Sequence, residues 1–109
     1  MEDYLATAID IARESGALLA EFFKAPLEVS YKSPANLVTE ADRRSEALIV
    51  ERLHRHFPGH AVVGEEGGGQ RIDSDYCWYV DPLDGTTNFA HGFPVFCVTL
   101  GLAYRGDVV

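Results

Sequence analysis

The feature that most constrains the fold is a long helical periodicity at the amino-terminal end of the chain. Between residues 4 and 24, apolar side chains recur in steps of three and four, so they share one face of an amphipathic helix. Those apolar positions are Leu5, Ala8, Ile9, Ala12, Gly16, Leu19 and Phe23. The pattern ends before Pro26, because a proline cannot continue a helix. The sequence therefore predicts a first helix over residues 4–24.

A second helix is predicted to begin at Thr39. Thr39 and Asp42 have the spacing of a capping box, in which side chains at a helix start satisfy free backbone N–H groups. The apolar face of this helix is formed by Leu48, Ile49, Leu53 and Phe57. A proline and a glycine end it at residues 58–59. Between the two helices, residues 27–31 are compatible with a short strand, and residues 32–36 are typical of a loop or turn.

Short apolar runs in the second half of the chain are typical of β-strands. The first covers residues 61–64, the second residues 77–80, and the third residues 94–104. A turn signal at Gly106-Asp107 then leads to two valines, which is the pattern of a returning hairpin strand. We therefore predict one α+β domain over residues 1–109, with two helices packed on an antiparallel-rich sheet.

Charge is distributed unevenly along the chain. There are 17 acidic and 9 basic residues, for a net charge of −8, and no Lys or Arg lies between Arg71 and Arg105. A nucleic-acid-binding protein needs a positive surface against the phosphates, so this distribution argues against that class. Carboxylates without neighbouring bases are typical either of a solvated acidic surface or of a site for a hard cation, and composition leaves both open.

Other features indicate a cytoplasmic protein that does not enter a membrane. No apolar run approaches the ~18 residues that a membrane span requires. The first residues are acidic, unlike those of a secretory signal. Two cysteines, Cys77 and Cys97, are too few for a disulfide scaffold. They are predicted to be free and buried in apolar strands, with Trp78 and Tyr79 as core aromatic residues.

The most informative segment runs from Asp81 to Phe89, where an apolar strand leads into two carboxylates. Pro82 keeps Asp81 extended, so the aspartate side chain is expected to project beyond the strand. Asp84 follows after a predicted tight turn, and the two carboxylates can then share or bridge cations. Gly85 permits close approach of the backbone to a ligand, and a helix starting here would favour a bound phosphate.

An ordinary turn explains the same residues, since Asp, Pro and Gly are common turn formers. Two observations favour a site instead. The segment follows a fully apolar strand, and a second acidic loop, residues 64–66, also follows one. A phosphate ester would be repelled by Glu65, Asp81 and Asp84 unless Mg²⁺ lay between them. Mg²⁺ prefers oxygen ligands and is often held by few carboxylates together with a substrate phosphate.

Residues 81–94 (DPLDGTTNFAHGFP) resemble the metal-binding signature of the inositol monophosphatase family. Residues 37–42 (LVTEAD) and 64–66 (GEE) resemble two earlier motifs of that family, in the same order. The resemblance covers nearly the whole chain. It implies a layered α-β-α-β-α fold, of which this chain is the amino-terminal helices and first sheet. It also implies Mg²⁺-dependent, lithium-sensitive hydrolysis of a phosphate monoester, inositol monophosphate above all.

The resemblance implies a set of metal ligands. Glu65 and Asp81, together with the Leu83 carbonyl, would bind a first Mg²⁺. Asp81 and Asp84 would bind a second. Glu66 is explained either as a further acidic ligand or, more simply, as a solvated neighbour of Glu65.

The resemblance also implies residues that act on the substrate and the attacking water. Thr86 would help Glu65 to orient that water, and the backbone N–H groups of Gly85 and Thr86 would hold the phosphate. Asp42 would hydrogen-bond towards Thr86 or a water on the metal, a role compatible with its place in the capping box. Lys32 would lie on a loop that approaches the metals, although a plain surface lysine explains it equally well.

The chain departs from the family pattern in its second half. Family members run to more than twice this length, and their carboxyl-terminal half carries a Trp-Asp-x-Ala-type motif that completes the second metal site. Nothing in this sequence matches that motif. Two interpretations therefore stay open. One is the metal-binding part of a phosphatase that acts on a small phosphorylated polyol or sugar and is a homodimer when full length. The other is a truncated, non-catalytic fragment or partner-dependent subunit.

Overall fold

The computed structural model describes residues 3–24, 34–64, 72–90 and 94–109, without the side chains of residues 24, 34–39 and 90. Its helices are α1 (Tyr4–Lys24), α2 (Pro34–His56) and the short α3 (Thr86–Ala90). Its strands are β1 (Ala61–Gly64), β2 (Tyr76–Asp84), β3 (Cys97–Tyr104) and β4 (Asp107–Val108). No helix in these ranges is long and apolar enough to cross a membrane.

The four strands form one sheet in the order β1-β2-β3-β4. β1 runs parallel to β2, while the β2–β3 and β3–β4 pairs are antiparallel. Arg105 and Gly106 connect β3 to β4 with φ angles of 50° and 89°. Two successive positive φ angles characterise the tight turns that match the twist of a hairpin. The predicted antiparallel-rich sheet and its terminal hairpin are confirmed.

The core lies between the two long helices and one face of the sheet. Its larger cluster consists of Ile11, Ile49, Leu53, Phe57, Val62, Trp78, Val80 and Leu102. Trp78 is 2% exposed, whereas Tyr79 is 55% exposed. Successive strand residues point to opposite faces, so only one of two neighbouring aromatics can reach the helices. The α+β class and the core role of Trp78 are confirmed, and the core role of Tyr79 is wrong.

The boundaries of the helices differ from the sequence prediction at one end. The first helix has the predicted bounds. α2 begins at Pro34 rather than at Thr39, so residues 34–36 are helical instead of forming a loop. Proline is favoured in the first turn of a helix because its missing N–H needs no intrahelical partner there. A capping box at Thr39 is therefore wrong, and residues 27–33 lie outside the described residues.

Two strands also differ in length from their predictions. β1 has the predicted bounds. β2 continues to Asp84 instead of ending where the Asp81-Pro82 pair begins. β3 begins at Cys97 rather than at residue 94. The extension of β2 matters most, because it brings the predicted acidic segment into the sheet.

Candidate metal site

The segment between Asp81 and Asp84 is a β-bulge within β2. Asp81 lies opposite Thr99 and Asp84 opposite Cys97, so three steps along β2 correspond to two steps along β3. Two consecutive residues of one strand therefore face a single residue of the other, which is the arrangement of a β-bulge. The predicted tight turn is wrong, and with it the explanation of these residues as an ordinary turn.

The bulge places both aspartates on the same face of the sheet. In a regular strand, residues three apart point to opposite faces. Here their partners on β3, Thr99 and Cys97, are two apart and share a face. Cys97 Sγ lies 3.8 Å from Asp84 Oδ2 and 4.0 Å from Thr99 Oγ1, so these side chains are neighbours. Asp84 is exposed and Asp81 half-buried on this face, which is turned away from the long helices.

The two residues between the aspartates face the protein interior. Pro82 and Leu83 are both buried, and Leu83 packs with Leu19 and Phe89. The Leu83 N–H donates to Asp81 Oδ1 at 3.4 Å. A proline has no N–H to donate to a strand ladder, so away from sheet edges it is confined to strand starts and bulges. Pro82 is therefore the sequence signal from which this bulge could have been predicted.

Gly85 links the bulge to α3 in a conformation that favours glycine. Its φ angle is 93°, and a Cβ at this position would lie 2.9 Å from the carbonyl oxygen of Val95. The Asn88 side chain donates to that same oxygen at 2.9 Å, and the Phe89 N–H donates to the Gly85 carbonyl at 3.0 Å. The close approach that Gly85 permits is thus to the Val95 backbone of the same chain. Binding of phosphate by the N–H groups of Gly85 and Thr86 stays a prediction.

Asp42 is buried on α2, with 8% of its surface exposed. Because α2 begins at Pro34, Asp42 lies well inside the helix and cannot act in a capping box. Ser45, one turn further along, donates to the Pro82 carbonyl at 2.7 Å. Residues three apart share a helix face, so the face that carries Asp42 lies against the bulge. The predicted hydrogen bond from Asp42 towards Thr86 or a water stays a prediction.

Three predicted site residues, Lys32, Glu65 and Glu66, lie outside the described residues. β1 ends with Gly64 beside Val80 of β2, so the described part of the chain stops there next to the residue that precedes Asp81. Within the described ranges, no group of three or more His, Cys, Asp and Glu side chains is positioned to hold a metal ion. The two aspartates form the described part of the predicted site, and the role of Glu65 stays a prediction.

Asp81 and Asp84 supply carboxylate oxygens of the kind that a hard divalent cation takes, and they are two of the ligands that such a site needs. A groove of about 340 Å³ opens beside Asp81 on the outer face, next to Tyr79, Thr99 and Gly101. No Lys or Arg occurs in residues 72–104, so no base in this part of the sequence neutralises the carboxylates. Carboxylate and carbonyl oxygens are the ligands that Mg²⁺ prefers.

Two features near the bulge were missed by the sequence predictions. Ser15 and Ser45 form a buried hydroxyl pair between α1 and α2, and no local pattern links residues 30 positions apart. Cys97 is exposed beside Asp84, so its predicted burial is wrong. The alternation of β3 places Cys97 on the outer face, and that alternation was the available signal. Both cysteines are free, as predicted.

Comparison with known proteins identifies one family. The model of a protein family, the inositol monophosphatase family, matches residues 1–109. The chloroplastic phosphatase IMPL1 of Arabidopsis thaliana is 45% identical over 107 residues, which cover 95% of this chain and 29% of the relative. The inositol-1-monophosphatase of Synechocystis is 44% identical over 105 residues, which cover 94% of this chain and 36% of the relative. The chain thus spans only about a third of these two curated relatives.

Solved structures share the fold. The inositol monophosphatase from Anabaena superposes with a TM-score of 0.78 at 40% identity, over 96% of this chain and 36% of that structure. The extragenic suppressor protein suhB from Bartonella henselae superposes with a TM-score of 0.83 at 31% identity, over 96% of this chain and 40% of that structure. The described fold is therefore the equivalent of one part of these larger proteins.

Proposed function

The chain belongs to the inositol monophosphatase family, and from this premise we propose that it is the metal-binding part of a Mg²⁺-dependent phosphatase. The proposed reaction is hydrolysis of a phosphate monoester, inositol monophosphate first of all, to inositol and phosphate. Relatives named inositol monophosphatase support this substrate. The observation that carries the proposal is the bulge in β2, which puts the carboxylates of Asp81 and Asp84 on one face.

The charge of the site explains why the reaction would need a cation. A phosphate ester is an anion, and two like charges 4 Å apart repel by about 1 kcal/mol in water and more near a protein surface. Bound Mg²⁺ would supply the positive charge that admits the phosphate and would activate a water for attack. The proposed ligands are Glu65, Asp81, Asp84 and the carbonyl of Leu83, with Glu66 as a solvated neighbour.

The chain's own groups would orient the substrate and the attacking water. Gly85 and Thr86 follow Asp84 directly, where α3 begins, and N–H groups at a helix start have no intrahelical acceptor. We assign these two N–H groups to the phosphate oxygens. The Thr86 hydroxyl and Glu65 would hold the water in line for attack, and Asp42 would fix the orientation of Thr86.

Substitution of Asp81 by Asn tests the proposal. The change keeps the size of the side chain and removes its charge, so in the full-length protein it is expected to abolish Mg²⁺-dependent release of phosphate from inositol monophosphate. Asp73→Asn is the matched control, because it makes the same chemical change at an exposed aspartate outside the bulge. It should leave the rate unchanged. Full activity in Asp81→Asn, or equal activity in EDTA, would refute the assignment.

A second candidate, a unit that works only with a partner, is favoured by exposed apolar side chains. Leu5 is 71% exposed and Val109 is 69% exposed, and both line one groove. Clustered exposed apolar surface is typical of interaction sites. Under this candidate the chain binds Mg²⁺ but releases no phosphate, and it elutes in size-exclusion chromatography as a complex or aggregate. A sharp monomer that turns over substrate would contradict it.

Three further properties belong to the same proposal and rest on the family resemblance. They are inhibition by Li⁺, assembly of the full-length protein into a homodimer, and a cytoplasmic location. Li⁺ inhibition is the simplest to examine, because the phosphate-release assay can be repeated with LiCl against an equal concentration of NaCl. The account expects LiCl alone to slow the reaction.

A further inference from the structure

A chain of buried hydroxyl groups connects both long helices to the bulge. Ser15 of α1 and Ser45 of α2 are each 0% exposed, and their Oγ atoms are 2.5 Å apart. Ser45 Oγ also lies 2.7 Å from the carbonyl oxygen of Pro82. Pro82 is the first of the two inward-facing residues that separate Asp81 from Asp84.

The direction of these hydrogen bonds follows from counting donors. A carbonyl oxygen only accepts, so Ser45 must donate its one hydroxyl hydrogen to Pro82. Ser45 then has only lone pairs to offer Ser15, and Ser15 must be the donor in the bond between the two serines. The two hydrogen bonds therefore run from the Ser15 hydroxyl to the Ser45 hydroxyl, and from the Ser45 hydroxyl to the Pro82 carbonyl. Donation to Ser45 polarises its hydroxyl and strengthens the bond to Pro82.

The Ser45 hydroxyl donates to the Pro82 carbonyl inside the core, at a residue that is itself buried. A bulge interrupts the regular ladder of backbone hydrogen bonds, and the inner face of this one lies in the core, away from water. A buried carbonyl without a donor is costly, so the backbone would shift to find another partner. Asp81 and Asp84 flank the Pro82–Leu83 pair, so any such shift of the backbone changes the spacing between the two aspartates.

We propose that Ser45, supported by Ser15, is a positioning residue that fixes the bulge and thereby the spacing of the Asp81 and Asp84 carboxylates. Its connection to catalysis rests on the proposed function, in which those carboxylates hold Mg²⁺. Ser45 itself touches neither carboxylate in the described contacts; it acts through the Pro82 backbone. The sequence motifs around the aspartates contain neither serine.

Nuclear magnetic resonance of the metal-free chain tests the positioning role. Ser45→Ala removes the donor, and we expect the carbonyl carbon signal of Pro82 to move and the amides of Leu83 and Asp84 to exchange about tenfold faster. Ile49→Val is the matched control, because it trims a fully buried side chain one turn along the same helix. It should leave the Pro82 signal in place.

Ser15→Ala keeps the proposal falsifiable if Ser45→Ala fails to fold. It leaves the bond from Ser45 to Pro82 intact and removes only the polarising donor, so the Pro82 signal should move less and in the same direction. An unchanged Pro82 signal in the folded serine variants would overturn the proposal. So would a change no larger than that in Ile49→Val.

Calorimetric titration with Mg²⁺ separates this inference from the proposed function. We expect Ser45→Ala to bind Mg²⁺ about tenfold more weakly than the parent chain, with Ile49→Val unchanged. Equal affinity in Ser45→Ala would overturn the positioning role. If the parent chain itself binds no Mg²⁺, the proposed metal site fails in this chain. The positioning role is then decided by the metal-free signals of Pro82, Leu83 and Asp84.

Discussion

The two ends of β2 differ in the regularity of their pairing and in the kind of side chain that they carry. At the Tyr76–Trp78 end, pairing with β3 is regular, and Cys77 and Trp78 also pair with β1. The Trp78 indole donates to His60 Nδ1 at 3.0 Å. His60 stacks on Phe57 and Tyr76, with ring centroids 5.0 and 4.6 Å away. At the Asp81–Asp84 end, pairing with β3 slips by one residue, and the carboxylates face outward.

The difference shows how a strand can contribute to both stability and a site. At the aromatic end, every step points the next side chain to the opposite face, and one face is sealed by the helices. At the bulge, Pro82 and Leu83 both face inward, so the carboxylates of Asp81 and Asp84 lie on the same outer face. Pairing is irregular at the end of the strand that carries the carboxylates, and β-bulges are common next to functional sites.

Trp78→Ala is the largest perturbation we predict, because it removes a side chain that is 2% exposed from the aromatic end. Loss of a buried Trp typically costs about 3–5 kcal/mol of the free energy of unfolding. Small domains have only about 5–15 kcal/mol in total, so the variant should be close to unfolded. Urea denaturation followed by circular dichroism measures the loss.

Tyr79→Ala is the control for that experiment, at the next position of the same strand. Tyr79 is 55% exposed, and its loss should change the free energy of unfolding by less than about 1 kcal/mol. Equal losses in the two variants would mean that the sheet does not bury one face as described.

Gly85→Ala has the next largest expected effect and perturbs the other end of β2. The alanine would have to adopt a φ angle of 93° with its Cβ 2.9 Å from the Val95 carbonyl oxygen. We expect a loss of about 1–3 kcal/mol in the free energy of unfolding, from backbone strain alone. Gly59→Ala has open space around it and should stay within about 1 kcal/mol of the parent. A neutral Gly85→Ala would contradict the described geometry.

Glu14→Gln has the smallest expected effect and shows how a paired carboxylate differs from those at the bulge. The side chain of Arg52 donates to Glu14, with Nη2 2.7 Å from Oε1, and this hydrogen bond lowers the pKa of Glu14 below its ordinary 4.5. A lowered pKa in the folded state stabilises the protein above pH 4.5, and the contribution is lost as pH falls through the folded-state value.

The melting temperatures of the parent and Glu14→Gln should therefore differ slightly at pH 7 and converge in acid. Glu21→Gln makes the same chemical change at an exposed position on the same helix and is the matched control. A difference between the parent and Glu14→Gln that grew as the pH fell would contradict the pairing.

Local patterns predicted most of the elements but not the contacts between them. α1, β1 and the hairpin follow from periodicity and turn residues within a few positions. The bulge does not, because it is defined by the register of β2 against Cys97 and Thr99. The start of α2 differs from its prediction because Thr39 has the sequence pattern of a cap but lies inside a helix that begins at Pro34. The acidic pair was identified, but its shared face required the structure.

Titration of the isotope-labelled chain with Mg²⁺, followed by the backbone amide signals along β2, tests the central claim most directly. The account predicts saturable shifts at Asp81, Asp84 and Gly85, with Tyr76 and Trp78 unmoved. Asp84→Asn should remove the shifts. Absence of shifts in the folded parent chain, or shifts that persist in Asp84→Asn, would contradict the claim that the bulge builds a metal site.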